Sequence, residues 1–193
     1  NVETLSFTVT VTVLTLITTL GLMRLNVYPD FAAAFRKGFY QLISGHTTTG
    51  FMTVYARQFH YEWGDTALFA IILAMLLGGS ACSTAGGFKG LRIGIIAHTL
   101  RRETRRMALP DSTVCIEKYH HIRDVVPDEA QIRSAFLIVI LYIVTFAAGT
   151  LAGMLSGYSF GMSAFESASV TGNVGLSIGV TQPSMPAALK LTY

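Results

Sequence analysis

Residues 134–156, SAFLIVILYIVTFAAGTLAGMLS, run for 23 positions without a charge. A helix of that length reaches roughly 34 Å at ~1.5 Å per residue, enough to cross the hydrocarbon core of a bilayer. Residues 5–23, LSFTVTVTVLTLITTLGLM, do the same for 19 positions. The TVTVTV alternation would suit a strand, but lipid admits only helices and closed barrels, and threonine hydroxyls can bond back to helix carbonyls. A helix is therefore expected. The whole chain agrees with a membrane class: 51% of its 193 residues are hydrophobic and 13% charged, about half the charge of an ordinary soluble domain. Its mean hydropathy is +0.51.

The remaining segments are too short or too polar to span. Pro29 and Asp30 open a helix expected over 31–45, with Asp30 as its cap. From Phe31 to Ser44 it covers about 21 Å and carries Arg36 and Lys37, so a re-entrant half-helix fits better than a crossing. SGHTTTGF, residues 44–51, follows, then a polar connector over 52–65. TALFAIILAMLL (66–77) is apolar, GGSACSTAGG (78–87) interrupts it with four glycines, and FKGLRIGIIAHTL resumes it. This reads as one broken helix over 66–100 with a loop at membrane depth, which is tolerated only inside protein or against water.

RRETRR follows at once. Lys89, Arg92, Arg101, Arg102, Arg105 and Arg106 face only Glu103 across 89–106, which puts this end in the cytoplasm. A basic cluster set directly against a membrane segment points to topology rather than to nucleic acid. Residues 101–131 read as a cytoplasmic linker. Asp128 with Gln131 forms a capping-box pattern for a span over 132–156, and a second half-helix is expected over 159–170 with a turn at 171–177. Asn1 is not a methionine, no basic flank precedes the first apolar run as a signal peptide would require, and PSMPAALKLTY reads as the entrance to another helix. A piece of a longer polytopic chain is expected.

Sliding the chain on itself by 125 residues puts Phe35 on Phe160, Tyr40 on Phe165, Ser44 on Ser169, Gly50 on Gly175 and Phe51 on Leu176. The repeated unit is span, half-helix, polar turn. A half-helix ending near the membrane centre places about half a negative charge there, which favours a cation. Carbonyl oxygens of the turn can replace the cation's water shell, and glycine permits the dihedrals that this needs. Threonine adds hydroxyl oxygens without charge.

SGHTTTGF, FESASVTGNVGLS and the intervening GGSACSTAGGFKG together resemble the Trk/Ktr/HKT superfamily of potassium transporters, most closely its TrkH/KtrB pore subunits. The resemblance covers essentially the whole chain. It implies an all-α integral membrane fold of four span–pore helix–filter loop–span repeats, of which this chain holds the third (1–100) and a truncated fourth (132–193). The filter would be Thr48, Thr49, Gly50 and Phe51 with Asn173, Val174, Gly175 and Leu176. Potassium, the transported ion, would sit at Thr48, Thr49, Asn173 and Val174. Asn173 replaces a threonine common in the family. The gate would be the loop with Gly78, Gly79, Ser80, Ser83, Thr84, Gly86 and Gly87, where Cys82 replaces a small residue. The resemblance further implies the cell inner membrane, external filter mouths, a homodimer with one pore per protomer, and a cytoplasmic nucleotide-binding regulatory subunit of the TrkA/KtrA kind. It implies no organic cofactor and no enzymatic step. A sodium or sodium-coupled relative is the alternative.

Other residues were candidates on their own chemistry. His46 is expected to pack and hydrogen-bond behind the filter, having no second metal ligand at useful spacing. Glu166, an intramembrane carboxylate, is expected to support the second turn. Lys89 would either brace the gate or snorkel to cytoplasmic water. The arginines after residue 100 would also meet anionic membrane lipid. Cys82 and Cys115 read as unpaired thiols. A phosphate loop is excluded because Gly90, not Ser or Thr, follows Lys89. An intramembrane serine hydrolase built on Ser80 or Ser83 with His98 or His46 is the remote rival; Ser83 and His98 lie about 22 Å apart along a continuous helix.

Overall fold

The computed structural model describes residues 2–80, 83–108, 119–121, 123–125 and 128–193. Cys82, Cys115 and most of the segment between 109 and 127 fall outside them. Helix α1 covers Val2–Arg24, and several of its threonines bond back as their chemistry suggests: Thr8, Thr12 and Thr18 each donate to the carbonyl four residues earlier at 2.7–2.8 Å, whereas the buried hydroxyls of Thr15 and Thr19 do not. The alternating stretch is thus helical, the hydroxyls of Thr8 and Thr12 being satisfied within their own helix. Helix α2 (Phe31–His46) packs on α1, where Gly38 lets Thr18 and Leu22 approach within 3.2–3.3 Å of the place a Cβ would take. Asp30 holds the cap position of α2 in extended conformation but its side chain makes no cap hydrogen bond.

The connector expected over 52–65 is not merely polar. It contains helix α3 (Ala56–Tyr61), and Phe59 and Trp63 from it are fully buried. Their rings lie 4.5 Å apart, and Phe59 meets Phe165 of the second repeat at 5.6 Å. Two aromatic rings therefore fasten the two units together, a contact between distant segments that local polarity cannot reveal. Helix α4 (Gly64–Leu77) runs back along α1, and helix α5 (Gly90–Ala108) follows the interrupting loop. α5 continues through Arg101, Arg102, Arg105 and Arg106, so the basic stretch is the end of a helix, not the start of a linker; its arginines are good helix formers and favour a helix C-terminus. Within the expected linker, strands β1 (Tyr119–His121) and β2 (Arg123–Val125) pair antiparallel.

Asp128 opens α6 (Glu129–Leu155) with its capping box complete. Helix α7 (Phe160–Thr171) packs along α6, with α8 (Ala187–Thr192) beyond it. The contact of α6 with α7 is a small-residue seam: Gly149 and Gly153 face Ser167 and Ser163, whose hydroxyls lie 2.5–2.6 Å from where a Cβ would stand. Without a hydrophobic drive between helices in lipid, such seams let dispersion contacts hold the pair. Glu3–Arg24 and Glu129–Leu155 are long and apolar enough to cross a membrane. Leu137, Ile140, Leu141, Val144 and Leu151 stay more than half exposed along α6, an apolar face that only lipid or further protein can cover.

Candidate ion path

The two repeats converge on one backbone design. α2 ends at His46 and α7 at Thr171, the same point under the 125-residue shift. Beyond each, amides fold back onto the helix end: Thr48 N bonds Gly45 O at 3.2 Å and Thr49 N bonds Ser44 O at 2.9 Å. The counterparts are Asn173 N to Val170 O at 3.0 Å and Val174 N to Ser169 O at 2.8 Å. Left-handed dihedrals fall at matching positions, φ +54° at Thr48 and +51° at Asn173, then +77° at Gly50 and +87° at Gly175. Asn is among the residues that tolerate this region and glycine is indifferent to it, whereas Thr48 is β-branched and held there by its surroundings.

A serine pins the far end of each turn. Ser44 Oγ donates to Phe51 O at 2.7 Å, and Ser169 Oγ to Leu176 O at 2.5 Å. Replacing either serine by alanine removes one hydrogen bond and should lower stability by about 1 kcal/mol. Equal shifts in thermal melting for Ser44→Ala and Ser169→Ala would check that the two bonds are equivalent.

A third duplicated device lies behind the turns. Glu166 is buried in α7, and its carboxylate accepts from Ser177 Oγ (2.6 Å), Ile178 N (3.0 Å), Val180 N (3.0 Å), Thr181 N (3.3 Å) and Thr181 Oγ1 (2.9 Å). The matching position in α2 is Gln41, also buried, whose Oε1 accepts from Thr53 N at 3.0 Å and Thr53 Oγ1 at 3.2 Å. Gln41, Thr53, Ser177 and Thr181 were not singled out from the sequence. The signal was present in the repeat, since the same shift lays Gln41 on Glu166. His46 is buried at the end of α2, its Nε2 2.9 Å from Thr10 Oγ1 and its ring edge-on to Phe7 at 5.0 Å. Thr10 Oγ1 already donates to Ser6 O at 2.8 Å, so Nε2 carries the proton toward Thr10.

The two turns stand side by side: a Cβ on Gly50 would lie 2.0 Å from Val174 O. The loop between α4 and α5 reaches both. Gly86 N donates to Thr48 Oγ1 at 3.3 Å, and a Cβ on Gly86 would lie 1.9 Å from Gly172 O. The ends of the loop are tied by Phe88 N to Leu76 O and Lys89 N to Leu77 O, with Gly78 and Gly87 pressed together backbone to backbone at positive φ. Gly79 O accepts from Gly90 N. Lys89 turns its Nζ to Ser83 O at 3.1 Å. Thr84 lines a cavity of about 450 Å³ behind the loop, with His46, Phe7 and Thr10. Ser83 Oγ donates to Ser80 O and Ser80 Oγ to the Glu3 carboxylate. Both hydroxyl protons are committed away from any imidazole, which disfavours the hydrolase dyad.

The fold is that of a known transporter. Aligned with the crystal structure of the potassium transporter TrkH from Vibrio parahaemolyticus, the chain gives a TM-score of 0.77 over all of its residues and 40% of that chain, at 22% identity. An uncharacterized cation transporter of Methanocaldococcus jannaschii is 32% identical over 79% of this chain, and the Trk system potassium uptake protein TrkH of Escherichia coli is 31% identical over 54%. The matches span 31% and 21% of the length of those two curated relatives. All are transporters by name, not enzymes. The family model for TrkH, described as a cation transport protein, matches residues 2–192, and the chain belongs to that family.

Proposed function

We propose that this chain supplies the third and fourth pore-loop units of a potassium uptake system, conducting K⁺ passively through the turns 48–51 and 173–176. The observation that carries this reading is the duplicated turn: the same left-handed positions, the same serine pin and the same buried α-helical acceptor recur 125 residues apart. Both helix C-termini bring partial negative charge to the turns, and the buried Glu166 adds to the potential that favours a cation. Thr48, Thr49, Asn173 and Val174 bind the ion. Two turns cannot surround it, so the other repeats of the full polypeptide complete the ring. The filter mouths face outward, residues 101–131 face the cytoplasm, and a nucleotide-binding subunit acts there on a homodimer.

The loop 78–87 is the gate, because it rests on both turns. Gly86→Ala would drive a methyl group into Gly172 O, so the loop cannot seat. K⁺ flux in the absence of the regulatory subunit should rise severalfold; unchanged flux in folded protein would reject the gate assignment. The test of the function itself is K⁺ and Na⁺ flux, measured separately in proteoliposomes of the full polypeptide with its regulator. K⁺ flux exceeding Na⁺ flux supports the reading. Equal fluxes would favour the sodium alternative, to which the carboxamide of Asn173 in place of a hydroxyl lends a specific reason.

A further inference from the structure

We propose that Tyr142, at the middle of α6, clasps the gate loop and holds it closed. Its ring meets the ring of Phe88 edge to face, with centroids 4.9 Å apart and planes at 63°. Its hydroxyl is turned to the Gly87 backbone and is buried without a well-aligned hydrogen bond among the described residues. Both contacts fall where the loop closes on itself: Phe88 N bonds Leu76 O at 2.9 Å, and a Cβ on Gly87 would lie 2.6 Å from Gly78 Cα. Gly86, one residue earlier, rests on Thr48 and Gly172. Three consecutive residues thus tie the loop to both turns and to the long helix of the fourth unit. Of these ties, the one to Tyr142 involves neither turn, so releasing it frees the loop without disturbing the filter.

The helical repeat of α6 puts Tyr142 on the face that meets protein. Ala135 packs on Ile95 of α5, Phe146 O accepts from Ser167 Oγ at 2.7 Å, and Gly149 and Gly153 meet Ser167 and Ser163 of α7. Positions 135, 142, 146, 149 and 153 share one side of the helix, while Leu137, Ile140, Leu141, Val144 and Leu151 look out from the other. The helix that seats α7 behind the fourth turn therefore also carries the clasp. An edge-to-face aromatic pair is worth a factor of about 2–10 in an equilibrium beyond the area it buries. The orphaned hydroxyl works the other way, because burying a polar group unpaired is unfavourable and moving the loop uncovers it. The clasp thus biases the loop toward closure and still releases it. The chain between α5 and α6 is the segment proposed to face the cytoplasm, so a force there that spreads the two helices parts Phe88 from Tyr142.

This inference rests on the gate reading proposed above. Its test is K⁺ flux in proteoliposomes of the full polypeptide, measured without the regulatory subunit and divided by the flux with it, so that loss of folded protein cancels. Tyr142→Ala should raise that ratio about 2–10-fold, the factor such an aromatic pair supplies. Tyr142→Phe keeps the ring and sheds the orphaned hydroxyl, and should hold the ratio at or below that of the unaltered protein. Phe88→Ala reaches the same clasp from the loop side and serves if Tyr142→Ala does not fold. Where both fold, the double variant should exceed neither single one. An unchanged ratio in folded Tyr142→Ala or Phe88→Ala would overturn the proposal. So would a rise in Tyr142→Phe equal to that in Tyr142→Ala, or full additivity of the two alanine variants. Gly86→Ala measured in parallel separates the two readings: a raised ratio there with none in Tyr142→Ala rejects the clasp alone, and no rise in any variant rejects the gate as well.

Discussion

Gly50→Ala should abolish K⁺ flux. The two glycines occupy equivalent places in the repeat and share a left-handed φ, +77° and +87°. For alanine that conformation costs about 1–2 kcal/mol, the same at both sites. At Gly50 a neighbour adds to that cost. A Cβ there would meet Val174 O at 2.0 Å, and neither backbone can yield without moving a turn. Gly50→Ala thus pushes the two turns apart. Ion flux and thermal melting, measured on this variant of the full polypeptide, check this. Unchanged flux in folded protein would mean that the turns do not abut in the conducting protein.

Glu166→Ala should destabilise the protein by about 3 kcal/mol or more, because it strips the acceptor from several neutral donors at once, at about 1 kcal/mol or more each. Five hydrogen bonds converge on this carboxylate, and three come from the backbone amides of Ile178, Val180 and Thr181. Truncation leaves those buried donors without an acceptor, at about 1–3 kcal/mol each. Glu166→Gln keeps one acceptor oxygen, as Gln41 does in the first repeat, and should cost only about 1–2 kcal/mol. Unfolding of both variants in graded detergent is the measurement. A Glu166→Ala protein as stable as Glu166→Gln would show that the segment 177–181 does not depend on the carboxylate.

Much of the architecture was legible because lipid leaves so few options. An uncharged run of span length must be helical, and α1 and α6 followed. The repeat shift placed both turns, and the ends of α2 and α7 fall at one point under it. Gln41 lies on Glu166 under the same shift, but a neutral glutamine has common uses inside a membrane protein where a carboxylate there does not. The buried pair Phe59 and Trp63 is hidden by the charged residues around it: Phe59 on α3 and Trp63 just beyond that helix are buried, while Tyr61 and Glu62 between them stay exposed. The arginine cluster ends the apolar pattern without ending the helix, because arginine prolongs a helix readily.

By itself the sequence determined the chain's class, the two long apolar helices, the two half-helices and a glycine in each turn, because membrane thickness and backbone satisfaction act on local stretches. Only the tertiary structure decided which parts touch. It set Gly50 against Val174, Gly86 against Gly172 and Thr48, and Phe59 against Phe165. Each of these contacts joins residues at least 38 positions apart in the chain, and no periodicity or motif carries distance information of that kind. Contacts of this kind are chosen by whether small residues leave room for a backbone to approach, which becomes a fact only when both surfaces are in place.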